Sequence, residues 1–232
     1  MDLGQTIVIV LSVFMGVWYL AGSIFNRRRG VDTYRWLRDG LQHYGKISEA
    51  KWIGSSASGA RMVIDKPKAP FRRIETIFLM NSREILPLWL FNILRGKSDE
   101  LVLKANLRKT PAYQMEIAHQ GKLNMEKIKE QAGATSLQRD QIAGFEVVSW
   151  GKTRSETGQV PETLLARYSQ ELITLSLRRS SPHLIVKIKL PNPKTAPKET
   201  FLEPLAGWLK GEAPDVTSED VESDQQGVEQ EI

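Results

Sequence analysis

Twenty-three consecutive residues, Leu3 to Phe25, carry no charge. As a helix rising about 1.5 Å per residue the stretch reaches about 34 Å, enough to cross a hydrocarbon core of about 30 Å with modest tilt. Asn26-Arg27-Arg28-Arg29 follows at once, while the only charged side chain before the run is Asp2. A cleaved secretory signal has the opposite arrangement, with positive charge ahead of a shorter apolar core. The positive-inside rule therefore predicts a single-pass anchor in the cell membrane, its N-terminus outside and everything after residue 26 cytoplasmic. Ser12 and Gly16 form a small-xxx-small pair on this helix, a pattern that permits homodimeric packing but is common by chance.

The remainder has the make-up of a folded domain with an appendage. Of the 27 acidic residues, eight fall in Glu212–Ile232, where there is no base, so most of the 32 Lys and Arg belong to a strongly basic body. The acidic segment has no aromatic residue and cannot bury enough apolar surface to offset its ordering entropy, so it is predicted to be disordered. There is no Cys, which excludes a disulfide framework, thiolate metal sites and a cysteine nucleophile. The expected organisation is a transmembrane anchor over 1–26, a basic helical linker over 27–45, a cytoplasmic domain over 46–211 and the acidic tail over 212–232.

Val31 to His43 has a short helical pattern that Gly45 ends, read as a connection between membrane and domain. Lys46–Ile53 and Arg61–Asp65 are strand-like runs around a Gly/Ser turn and predict a hairpin. Phe71–Met80 is nearly continuously apolar, as in a central strand covered on both faces. Leu101–Arg108 alternates strictly, and Tyr113, Met115 and Ile117 resume the alternation after Thr110-Pro111, which predicts a second hairpin. A third joins Ile173–Leu177 to Leu184–Leu190, and Phe145–Trp150 is a further strand. Helices are expected at Leu123–Gln131, Pro161–Gln170 and Thr200–Lys210. The fold class is α+β, a mostly antiparallel sheet built from about three hairpins with flanking helices, preceded by the transmembrane helix.

Ile85–Leu94, with the sequence ILPLWLFNIL, is apolar on nearly every side. Ten helical residues reach only about 15 Å and cannot span a bilayer. An all-round apolar helix is most often interior, which makes core packing the first reading. The second is the membrane interface, where Trp89 and the flanking Arg83, Arg95 and Lys97 suit headgroups.

No catalytic constellation is visible, and no cofactor or metal is implied. Gly54–Gly59 has the spacing of a phosphate loop, but Ala60-Arg61 follows where Lys and Ser/Thr are required, and Gly151-Lys152-Thr153 lacks the first glycine. His43, His119 and His183 are isolated in sequence, without metal-ligand spacing. No GxSxG elbow occurs, and Ser48-Glu49-Ala50-Lys51 lacks its companion motifs. Asp99-Glu100 reads as a solvated pair. An enzyme whose residues converge only in the fold remains the alternative.

Positive charge beside a bilayer points to the anionic leaflet. Arg27, Arg28 and Arg29, with Arg83, Trp89, Arg95 and Lys97, are the candidate contacts with lipid headgroups, each base near the surface contributing about 1 kcal/mol. Lys104, Arg108, Lys187 and Lys189 form a candidate basic sheet face. Nucleic acid is disfavoured, since no zinc finger, aromatic strand signature or recognition helix accompanies the charge. The expected function is that of a non-enzymatic scaffold or accessory module, binding an anionic surface or a membrane protein partner.

Overall fold

A computed structural model describes residues 2–151, 162–196 and 202–211. The acidic segment Glu212–Ile232, residue 161 and residues 200–201 at the starts of the last two expected helices, and the Lys152-Thr153 pair lie outside the described residues.

The first element, α1 (Leu3–Gln42), is one helix of 40 residues. Charge alone does not end a helix, and Arg27–Arg29 contains no proline or helix-stopping turn, so hydrogen bonding runs on through Gly30 to Gln42. The two halves have opposite surroundings. Residues before Asn26 are mostly exposed, whereas Trp36, Leu37 and Leu41 are buried. The segment expected to link anchor and domain is thus part of the domain's core.

The strands are β1 (Glu49–Trp52), β2 (Gly59–Ile64), β3 (Phe71–Leu79), β4 (Glu100–Leu107), β5 (Tyr113–His119), β6 (Gln138–Ile142), β7 (Phe145–Gly151), β8 (Leu172–Leu177) and β9 (Leu184–Lys189). They form one antiparallel sheet in the order β1-β2-β3-β4-β9-β8-β5-β7-β6. The remaining helices are α2 (Leu86–Leu94), α3 (Met125–Ala132), α4 (Glu162–Arg167) and α5 (Glu203–Gly211). This is the expected α+β class, and the β1–β2 and β8–β9 hairpins lie where the alternation places them.

The second hairpin is not formed. β4 pairs with β3 and β9, and β5 pairs with β7 and β8, so the whole β8–β9 hairpin lies between them. Leu101 is then level with Phe78 of β3 and Ile188 of β9, and Leu103 with the buried Thr76 and Val186; both leucines are fully buried. β3 is interior to the sheet, but it is covered on one face: Ile74, Thr76 and Phe78 are buried, while Arg72, Arg73 and Leu79 are exposed. β6 was not expected, because a polar edge strand with no fully buried residue has no hydrophobic period to betray it.

Alternation sends Leu101, Leu103, Ala105, Met115, Ile117, Val186 and Ile188 to one face, where they join Trp36, Leu37 and Leu41 of α1, Leu164 and Leu165 of α4, and Leu205, Trp208 and Leu209 of α5 in one core. Val148 and Trp150 point to the other face, covered by Ile128 and Ala132 of α3. α3 begins at Asn124, whose side-chain oxygen accepts the Lys127 N–H at 3.1 Å.

Candidate functional site: the end of the sheet from which α1 emerges

Strand register gathers Trp52, Gly59, Leu79, Glu100 and Lys189 at one end of the sheet. At this end α1 leaves the core, and two close approaches hold it. A Cβ on Gly30 would stand 1.8 Å from the Ser56 carbonyl oxygen, and one on Gly22 would stand 2.7 Å from that of Arg83. Only glycine admits the backbone of the β1–β2 turn and of the β3–β4 connection so near the helix.

Between the two glycines lies Asn26, completely buried. Its Nδ2 donates to the Asn81 carbonyl oxygen at 2.8 Å and to Glu84 Oε2 at 3.0 Å, and its Oδ1 accepts from Arg83 at 2.9 Å. Arg83 also donates to Asp99 Oδ2 at 2.8 Å, and the Arg29 guanidinium lies 3.0 Å from the same oxygen. The other oxygen, Oδ1, accepts the Asn81 N–H at 2.9 Å. Asp99, with a side chain only 3% exposed, is therefore not the solvated residue its neighbour Glu100 suggests. Burial of that carboxylate is tolerable because two guanidiniums and a backbone donor surround it.

The arginine run therefore divides. Arg29 and Arg83 turn inward to Asp99, whereas Arg27 and Arg28 are exposed, as are Arg95 and Lys97 beyond α2. Arg95 places its guanidinium carbon 4.2 Å from the centre of the Phe91 ring. Trp52, Ile53 and Leu79 add exposed apolar surface at the same end of the sheet.

α2 occupies an excursion between β3 and β4, closed at its neck where Asn81 Nδ2 donates to the Lys97 carbonyl oxygen at 3.1 Å. No residue of α2 is buried, so the reading of Ile85–Leu94 as a core helix is overturned. Its site in the β3–β4 connection puts it beyond the sheet, beside the exposed half of α1. Trp18 donates its indole N–H to the Arg83 carbonyl oxygen at 2.9 Å, and the rings of Trp18 and Trp89 are 5.4 Å apart.

The four bases of the candidate sheet face do not form an unopposed patch. Lys104 sits opposite Glu75, Lys187 is 2.8 Å from Glu100, and Lys189 is in register with Glu100. Arg108 donates to the carbonyl oxygens of Phe71 and Pro67, both at 3.1 Å. The same face carries Arg61 between Glu49 and Glu75, at 3.0 and 2.7 Å. The Arg61 hydrogen bond is the main reason the Glu75 carboxyl is held below the usual range, with Lys104 and Arg73 adding to it. Near β5 and β8, Glu116 accepts from Ser176 and pairs with Arg178. Cross-strand alternation of sign makes this a mixed-charge surface, as solvated sheet faces commonly are.

The histidines have local partners. His183 Nδ1 accepts the Leu107 N–H at 3.0 Å, and burial lowers its pKa. His119 stacks on Phe145, their centres 4.4 Å apart. Among the described residues no group of three or more His, Asp or Glu is placed to hold a metal ion. An open pocket of about 560 Å³ lies between the C-terminal part of α1 and β1, lined by Tyr34, Arg38, Gln42, Lys46 and Ile47, without a carboxylate. Ser12 bonds back to the Val8 carbonyl oxygen, and Gly16 faces open space.

Sequence reasoning missed Asn26, Asn81 and Asp99, since polar residues separated by tens of positions give no linear signal. The only hint is the glycine pair Gly22 and Gly30, spaced to lie on one side of α1. Among the described residues α1 is the one helix long and apolar enough to cross a membrane. No protein-family model matches the chain, and no curated protein matches it at a significant level.

Proposed function

We propose that this chain is a single-pass membrane protein with its N-terminus outside and its domain in the cytoplasm, and that it acts as a non-enzymatic accessory module whose domain rests against the anionic leaflet. The observation that carries the reading is the segregation at the end of the sheet where α1 emerges. Arg29 and Arg83 are consumed in holding α1 to Asp99, while Arg27, Arg28, Arg95 and Lys97 are left exposed around it. Tethering keeps these bases within a Debye length of lipid phosphates.

The full chain in nanodiscs tests this, with an environment-sensitive dye on Ser98→Cys beside the exposed bases. Emission is expected to shift to the blue when phosphatidylserine replaces part of the phosphatidylcholine, and the shift is expected to vanish at high salt. Replacing Arg27, Arg28, Arg95 and Lys97 together by Gln should abolish the response. Identical emission in both lipids rejects the anionic-surface reading. Release of the full chain by alkaline carbonate rejects the anchor.

A further inference from the structure

We infer that α2 is a second membrane element, buried among the acyl chains of the same leaflet from which α1 emerges, so that the protein holds the bilayer by one spanning helix and one that enters a single leaflet.

Placement is the first argument. Along α1, Asn26 marks the level of the domain and Trp18 lies eight residues nearer the N-terminus, about 12 Å up the helix. The Arg83 carbonyl oxygen is bonded to Trp18, and the Trp89 ring lies against the Trp18 ring. The start and middle of α2 are therefore level with the uncharged part of α1, beyond the collar of Arg27 and Arg28. If α1 spans the bilayer, on which this inference rests, then α2 has lipid as its surroundings.

Composition is the second. Leu86–Leu94 has no charged residue and is apolar all round except for Asn92. Leu88, Leu90, Phe91, Ile93 and Leu94 are all exposed, Leu94 to 77%. Water-soluble surfaces rarely leave so many large apolar side chains contiguous. A cover is required, and the exposed face of α1 that continues from it is the surface already assigned to lipid. At nine residues α2 is about 14 Å long, the depth of one leaflet rather than two.

Charge and topology are the third. The helix is followed by the exposed Arg95 and Lys97, at positions where side chains extend to headgroup phosphates, while Arg83 before it is held inward on Asp99. The excursion is pinched at Asn81 and Lys97, and Asp99 fixes both Asn81 and Arg83, so α2 is presented on a rigid base.

The chain has no native Cys, so single cysteines can be introduced at Leu94, at Val10 in α1 and at Ser180 in the β8–β9 turn, and labelled with bimane. All three native side chains are exposed, so the fold should tolerate each label. Each full-length variant is reconstituted, at fewer than one copy per vesicle, in phosphatidylcholine and phosphatidylglycerol with or without brominated acyl chains. Quenching at Leu94→Cys by the brominated chains is expected to be at least about half that at Val10→Cys, with none at Ser180→Cys. If Val10→Cys is quenched and Leu94→Cys behaves like Ser180→Cys, α2 is outside the lipid and the inference falls while the anchor stands. If neither Val10→Cys nor Leu94→Cys is quenched, the anchor falls and takes the inference with it. A blue-shifted but unquenched Leu94→Cys would mean protein covers α2, which also overturns it.

Discussion

Asn26 in α1 and Asn81 just after β3, fifty-five positions apart, are joined by a hydrogen bond of 2.8 Å from side-chain amide to backbone carbonyl. It is one of three bonds made by a completely buried amide, and together they fix the helix to the chain that leads into α2.

Replacing Asn26 by Leu should leave the Asn81 carbonyl oxygen and one Arg83 donor without partners inside the protein. Each such loss costs about 1–3 kcal/mol. Thermal unfolding in mild detergent should show a markedly lower Tm for Asn26→Leu. An unchanged Tm would mean that water replaces the side chain and that the contact is not structural.

Asp99→Asn should be more damaging, since it leaves Arg29 and Arg83 close together without their counter-charge. Breaking a buried pair from one side costs about 3–5 kcal/mol. The half-exposed pair of Lys187 and Glu100 provides the comparison, and Glu100→Gln should change stability by no more than about 1 kcal/mol. Denaturant titration of both variants measures the contrast, and equal effects would contradict the burial assigned to Asp99.

Two glycines on α1 should behave differently. Gly30→Val places a branched side chain against the Ser56 carbonyl oxygen and should cost at least the 1–3 kcal/mol or so typical of overpacking. Gly16→Val meets nothing within 4 Å and should leave domain stability unchanged. Cross-linking of Gly16→Val also tests pairing of α1 with a second copy, which the larger side chain would weaken.

Stability should fall on mild acidification through His183. Burial lowers its folded pKa below the ordinary 6.5, so below pH 6.5 the unfolded chain binds the proton first. Stability contributed by neutral His183 is complete above 6.5 and declines as pH drops toward the folded value. Protonation also removes the acceptor for the Leu107 N–H. In His183→Asn this part of the pH dependence should disappear. Glu75, lowered chiefly by its Arg61 hydrogen bond, acts in a more acidic window: its contribution is present above about 4.5, the ordinary value, and is lost as pH falls through the depressed one. Chemical unfolding from pH 7 to 3 separates the two windows.

What the sequence makes legible follows from how local the cause is. The alternation at Leu101–Leu107 and at Leu184–Lys189 fixes both strands and their buried faces, because period two is a property of a few neighbouring residues. It does not fix partners: β4 and β5 alternate equally well and adjoin in sequence, yet the β8–β9 hairpin comes between them from far along the chain. α2 was ambiguous for a different reason, since a helix apolar on nearly every side has no clear period to say which face is covered. Asp99 appears solvated until Arg29 and Arg83 arrive from distant elements, and a buried charge is intelligible only with its counter-charges in view. Arg27–Arg29 looks like the end of a helix because it ends an apolar run, but solubility and hydrogen bonding are separate properties, and α1 passes through it unbroken.

That unbroken rod leaves the molecule without a swivel. Because Trp36, Leu37 and Leu41 are wedged in the core on the same helix that begins at Leu3, any tilt or rotation of the outer segment is carried as torque into the nine strands, turning them as a wrench turns with its handle.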